Sequence, residues 1–278
     1  MRWYADNSEL NGIRGATIPD ILMFGGIAVS QSEEKEIRNA IEGVKNKYGF
    51  KRAPIKWNFK DLKPLYLKQD KGDMYEELLK SSKNWRLEIA HAIQKLDFKI
   101  VVSVVESHSV VTKTIKGYKP DLSRYAFSNG LMRFAMYAYE EKPDSAQIIL
   151  DWPDKGDSKP FDSEYAAAYN FGKTKDGSVS YLSGPLESLR FSDSSAYVNM
   201  HHSTLMQLAD LTLGATREVV ECAIGKKASG FGVDFCKVLS SKYRGYPNSI
   251  IGRGISLASK DSSFKGKVKT YVDRELSV

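Results

Sequence analysis

Ser203-Thr-Leu-Met-Gln-Leu-Ala-Asp-Leu-Thr-Leu-Gly-Ala-Thr-Arg217 is the stretch around which the chain is organised. Leu205, Leu208, Ala209, Leu211, Ala215 and Val219 recur at helical spacing, and Ser203 supplies an N-cap. Asp210 interrupts this apolar surface. A carboxylate set among leucines is at least partly buried, so it needs a cation, a hydrogen-bond network or a metal. Arg217 is the nearest cation in sequence and stands as the structural alternative. Gln207 and Gly214 share the face of Asp210. A helix-interior glycine costs about 1 kcal/mol against alanine, which close approach of another backbone would justify.

Working outward, Arg2 to Asp6 reads as a short strand. Asn11-Gly12 and Gly15 mark a turn, and Ile21 to Val29 is the continuous apolar run of a central strand. A helix follows from Ser32 to about Tyr48, with Glu33, Glu34 and Glu36 in its first turn. Pro54 to Phe59 reads as a short strand and Asp73 to Lys95 as one long helix. Phe98 to Val105 is a β-branched strand and Leu122 to Glu141 a helix. Ala146 to Asp151 is a strand stopped by Trp152-Pro153. Glu164 to Phe171 reads as a short helix, and Val179–Leu182 and Leu189–Phe191 as short strands. Beyond Ala228 the chain is basic and rich in Gly and Ser, with weak signals. This order predicts an α/β domain with a mixed sheet flanked by helices. The domain spans residues 1–225, with helical insertions at about 32–48 and 60–96. Residues 226–278 form a basic extension packed on it.

The net charge is +7, and the window from Lys45 to Lys71 carries all of it. Nine basic residues there, including Lys51, Arg52, Lys56, Lys60 and Lys63, face only Asp61 and Asp70. Tyr48, Phe50, Trp57, Phe59 and Tyr66 are interleaved. Such a segment suits a nucleic-acid backbone and its bases, or is a solvated surface over core aromatics. Cys222 and Cys236, the two cysteines, make neither a disulfide framework nor a zinc ribbon. The N-terminus lacks a signal-peptide pattern, and the longest apolar run is half a membrane span. A cytoplasmic protein without membrane contact is expected. Ser8 has no nucleophile elbow, and Gly25-Gly26 belongs to no phosphate-binding glycine motif. His201-His202 read as surface residues at a helix start.

Asp6 and Asp151 each end a strand, where the functional crevice of an open α/β sheet lies. If their strands are neighbours, the two acids stand side by side. Like charges that close raise one pKa strongly unless a cation intervenes. With Asp210 they form an oxygen donor set of the kind that holds Mg²⁺ or Mn²⁺.

Three segments carry a family resemblance: Tyr4-Ala5-Asp6-Asn7-Ser8, Phe24-Gly25-Gly26-Ile27-Ala28-Val29, and Leu205-Met206-Gln207-Leu208-Ala209-Asp210-Leu211 with Gly214-Ala215. They resemble the bacterial family called domain of unknown function 3800, over about residues 2–220. Ser192-Asp193-Ser194 resembles that family's Asp-Ser step before the final helix. The resemblance implies a ribonuclease H-like fold, with metal-binding acids at Asp6, Asp151 and Asp210 and support from Ser8, Gln207 and Asp193. This chain departs from the pattern at Asn7, where the family has Glu, and at Ile55-Lys56-Trp57, where an acid is missing. The helix at 122–139 has no interior acid. The fourth ligand is therefore absent or comes from elsewhere, with Asp61, Glu106 and Asp193 as candidates. The expected function is a metal-dependent nuclease, a hydrolase of RNA or DNA phosphodiesters. The alternatives are a degenerate nucleic-acid-binding module of the same fold and a protein-interaction module whose Asp residues are paired with Arg or Lys.

Overall fold

The computed structural model describes residues 1–10, 20–117, 119–151 and 158–277, without the side chains of residues 9, 10 and 119. The turn expected at Asn11-Gly12 and Gly15 and the strand stop at Trp152-Pro153 lie outside the described residues. Six strands form one mixed sheet: β1 (Arg2–Leu10), β2 (Ile21–Val29), β3 (Lys99–Glu106), β4 (Gln147–Asp151), β5 (Ala196–Val198) and β6 (Ile255–Ala258). Their order is β5-β4-β1-β2-β3-β6. The meander β1-β2-β3 is antiparallel, whereas β4, β5 and β6 pair in parallel with their neighbours.

Four helices fall between β2 and β3: α1 (Glu34–Lys47), α2 (Lys63–Lys68), α3 (Gly72–Lys80) and α4 (Ser82–Ile93). The short α5 (Ser107–Val110) and the long α6 (Lys119–Glu141) lead to β4, and α7 (Lys159–Phe171) follows it. After β5 comes α8 (Thr204–Ala223), then α9 (Phe231–Val238) and α10 (Ile250–Arg253) before β6, and α11 (Ser262–Leu276) after it. No described helix is long and apolar enough to cross a membrane.

Side chains alternate across the sheet, so each strand feeds two cores. Trp3, Ala5, Leu22 and Phe24 face one core with Phe127 and Phe134 of α6. Tyr4, Met23, Ile27 and Val102 face the other, beneath α1, α4, α8 and α9. All of β2 is buried, as a continuous apolar run requires.

Five expectations need correction. The first strand does not end at Asp6: pairing with β2 carries β1 on to Leu10, so Asp6 lies inside the strand, and it is the β1–β4 ladder that stops at Ala5. Residues 54–58 form no strand. The backbone groups a ladder would use go to side chains instead: the Trp57 N–H to Asp210, and the carbonyls of Lys56 and Trp57 to Arg86. The helix expected over 73–95 is two helices parted at Ser81, whose hydroxyl bonds back to the Glu77 carbonyl. Neither 179–182 nor 189–191 is a strand; each reaches only an isolated bridge, at Ser180 and Phe191, and the true edge strand is β5. Residues beyond 226 are woven into the fold, because β6 is an edge strand of the sheet.

Two glycines seat α8. A methyl group on Gly26 would stand 2.2 Å from the Tyr4 carbonyl oxygen and 2.7 Å from Ala209 Cβ. One on Gly214 would stand 2.1 Å from Trp57 Cγ, so the close approach is that of an indole and not of a second backbone. Helix propensity alone favours Gly214→Ala by about 1 kcal/mol. Overpacking against Trp57 reverses the sign, and we expect a net loss of roughly 2 kcal/mol in urea denaturation with a shifted tryptophan emission.

Candidate functional site

Asp6, Asp151 and Asp210 come from three elements that the fold brings together. In the parallel β1–β4 ladder Ala5 stands opposite Leu150, so Asp6 and Asp151 follow as the next pair, on strands about 4.8 Å apart. Alternation turns both toward the α8 face, the side that holds Tyr4 and Ile149. Asp210 reaches the same place from α8, which packs against β1 and β2.

The environments of the three acids differ. Asp6 is buried and accepts one bond, from the Asn7 N–H at 2.7 Å. Asp210 accepts from the Trp57 N–H at 2.5 Å. Neither makes an ion pair with a described residue. Asp151 accepts from the Met200 N–H at 2.9 Å and has a further partner. Burial, then the charges of Asp210 and Asp151, push the Asp6 carboxyl up to about 8, while the Asn7 N–H and Lys56 oppose them. Asp210 is also raised, by burial first, against the Trp57 N–H, Lys56 and Arg86. Arg217 is not its partner: that guanidinium donates to Ser8 Oγ at 3.1 Å and lies 3.8 Å from Glu221.

The donor set is oxygen only, and one of its members, Asp6, is a buried carboxyl with no described cation in contact. That chemistry fits a hard divalent cation. Among the described residues, however, no three His, Cys, Asp or Glu side chains form a group able to hold a metal as they stand.

The supporting residues divide. Ser8 serves Arg217. Gln207 is buried; its amide donates to the carbonyls of Met200 and His201, and its oxygen accepts from Lys45 at 2.7 Å. It therefore holds the turn whose Met200 N–H meets Asp151. Asp193 is exposed and accepts from its neighbour Ser194. Of the other fourth-ligand candidates, Asp61 is exposed and accepts from Asn58. Glu106 caps α5, two strands across and four residues along from Asp6, roughly 16 Å away.

In the basic window Lys51, Arg52, Lys60 and Lys63 are exposed and Lys56 is half-buried, with its charge acting on both Asp6 and Asp210. Lys63 pairs with Glu76 and Lys47 with Glu88. The interleaved aromatics are not a stacking platform. Phe50, Trp57, Phe59 and Tyr66 are buried, and Tyr48 packs partly buried against the same core. Three contributors were not anticipated: Lys45, Trp57 and Arg86. Arg86 lies over the Trp57 ring and binds the Lys56 and Trp57 carbonyls, fixing the N–H that Asp210 uses. The one signal that reports them is Gly214, the notch into which Trp57 fits.

Asp6 sets a pH dependence. Its ordinary value is 3.8 and its folded value about 8. Between the two, the unfolded chain gives up the proton and the folded chain keeps it, so stability falls as pH rises through this range and levels off above it. Asp6→Asn removes that contribution. In EDTA the variant should match the parent near pH 4 and exceed it by at least ~2 kcal/mol at pH 8 in chemical denaturation.

Compared with family models, curated proteins and solved structures, the chain matches none.

Proposed function

We propose that the protein is a metal-dependent nuclease of ribonuclease H-like architecture, akin to the domain of unknown function 3800 family that its motifs resemble. The observation that carries the reading is the meeting of Asp6, Asp151 and Asp210 beneath α8, where the β1–β4 ladder ends, with a carboxyl raised by burial first and then by its acidic neighbours. These three would hold Mg²⁺ or Mn²⁺. The ion, when bound, supplies an activated water and charge stabilisation at the leaving oxygen of a phosphodiester. The chain's own residues do the rest. The Trp57 N–H and the Met200 N–H orient Asp210 and Asp151. Lys56, half-buried between the acids and solvent, favours a phosphate on the open side. Exposed Lys51, Arg52 and Lys60 continue that positive surface.

A second reading has its own support. Among the described residues no fourth acid joins the three, and they do not stand as a ready metal group. A binding module that kept the architecture and lost turnover accounts for both.

Labelled RNA, DNA and hybrid duplexes incubated with Mn²⁺ separate the two. The nuclease reading expects cleavage abolished by EDTA and lowered at least ~100-fold by Asp210→Asn, consistent with loss of a group acting on the reacting phosphate. It also expects Mn²⁺ to raise the parent's melting temperature and to leave that of Asp6→Asn unmoved. Salt-sensitive binding without cleavage selects the binding module, and cleavage that survives Asp210→Asn refutes the site.

A further inference from the structure

A cleft of about 240 Å³ opens beside the acid cluster. Lys51, Arg52, Gln69, Lys71, His201 and His202 supply its polar lining, and no carboxylate is among the described lining residues. Its position relative to the acids follows from the chain: His201, on one wall, adjoins Met200, whose N–H holds Asp151. The charge of Asp151 acts on the His201 ring, as does that of Lys56.

The walls are joined from below by a buried ammonium group. Lys45 is 1% exposed and donates to Glu42 at 2.9 Å, to the Ala53 carbonyl at 2.9 Å and to Gln207 at 2.7 Å. Ala53 belongs to the wall that carries Lys51 and Arg52. Gln207 holds the His201 carbonyl on the other wall. Glu42 takes the Arg52 N–H at 2.7 Å and the Thr204 hydroxyl at 3.0 Å. All three acceptors of Lys45 are thus spent on fixing the two walls.

The backbone adds a separate observation. Arg52 has φ 61° and Asp70, between Gln69 and Lys71, has φ 55°. Left-handed conformations are costly for residues other than glycine, and they persist where the surroundings enforce them. A glycine at position 52 would adopt this turn freely. An arginine there instead puts a cationic residue on the lining of the cleft.

We infer that this cleft is a phosphate-binding subsite, which seats a backbone phosphate of a nucleic-acid strand next to the acid cluster. Arginine and lysine on a lining with no described carboxylate residue suit that group. The volume is below that of ordinary small-molecule pockets and suits a phosphate with its sugar. The inference deepens the nuclease reading and rests on it for the kind of ligand, but it requires no cleavage.

Fluorescence anisotropy in EDTA tests it, with a labelled single-stranded RNA or DNA ten-mer and with inorganic phosphate and pyrophosphate as competitors. Arg52→Gly should weaken strand binding about tenfold while its urea midpoint stays equal to or above the parent's, because the turn loses its strain. Lys71→Ala should weaken binding severalfold, and Lys265→Ala on α11, a control for net charge, less than twofold. Pyrophosphate should displace the strand from the parent and far less from Arg52→Gly. Unchanged binding by Arg52→Gly, or an equal loss in Lys265→Ala, overturns the subsite. Binding of phosphate without binding of either strand also overturns it, in favour of a free phosphate ester. A parent that binds through Arg52 but never cleaves sinks only the nuclease reading. One that cleaves through Asp210 with Arg52 irrelevant sinks only the subsite.

Discussion

Confinement of negative charge is the constraint on which the structure turns. Parallel pairing of β1 with β4 puts Asp6 beside Asp151, and α8 lays Asp210 over them. Among the described residues, Asp6 and Asp210 each receive one backbone N–H and have no ammonium or guanidinium in contact. A merely architectural carboxylate would be expected to have found a better partner. Elsewhere the chain supplies one: buried Glu164 receives Arg124 at 2.7 Å and the Ser128 hydroxyl at 2.7 Å. Glu164 is fully matched, whereas Asp6 receives one backbone N–H among the described residues.

Lys45 is the positive counterpart of that argument. It lies in the basic window, yet its ammonium is enclosed and meets three oxygens. Around it are tied α1, the 50–57 segment and the turn before α8, the same pieces that orient Asp151 and Asp210. A lysine run in sequence therefore divides into a member that builds the site and members that remain at the surface. Trp57 divides the same way: its ring completes the α8 core while its N–H serves Asp210.

Much of this was legible in the residues. The apolar runs at 21–29 and 98–105 and the periodicity of 203–219 fixed the central strands and the key helix, because burial on both faces or on one stripe leaves an unambiguous pattern. The acids stood out since they broke those patterns. What escaped was encoded in contacts. Ile55-Lys56-Trp57 alternates like a strand, but its amides and carbonyls are claimed by distant side chains. β5 and β6, of three and four residues, are too short for any period to register. In α11, Phe264, Val268, Val272 and Leu276 recur every fourth residue, all buried, behind a surface of lysines that disguises the stripe.

The two outermost strands also set a timetable. The meander β1-β2-β3 is assembled from the first 106 residues, whereas Val102 meets its β6 partner Ile255 only across 153 positions of chain. Closing so long an excursion carries a large entropic toll before any ladder bond compensates it. Until Ile255–Ala258 docks, one edge of β3 offers unpaired amides to any passing strand, the kind of exposure that invites aggregation. Docking of this four-residue segment closes that edge.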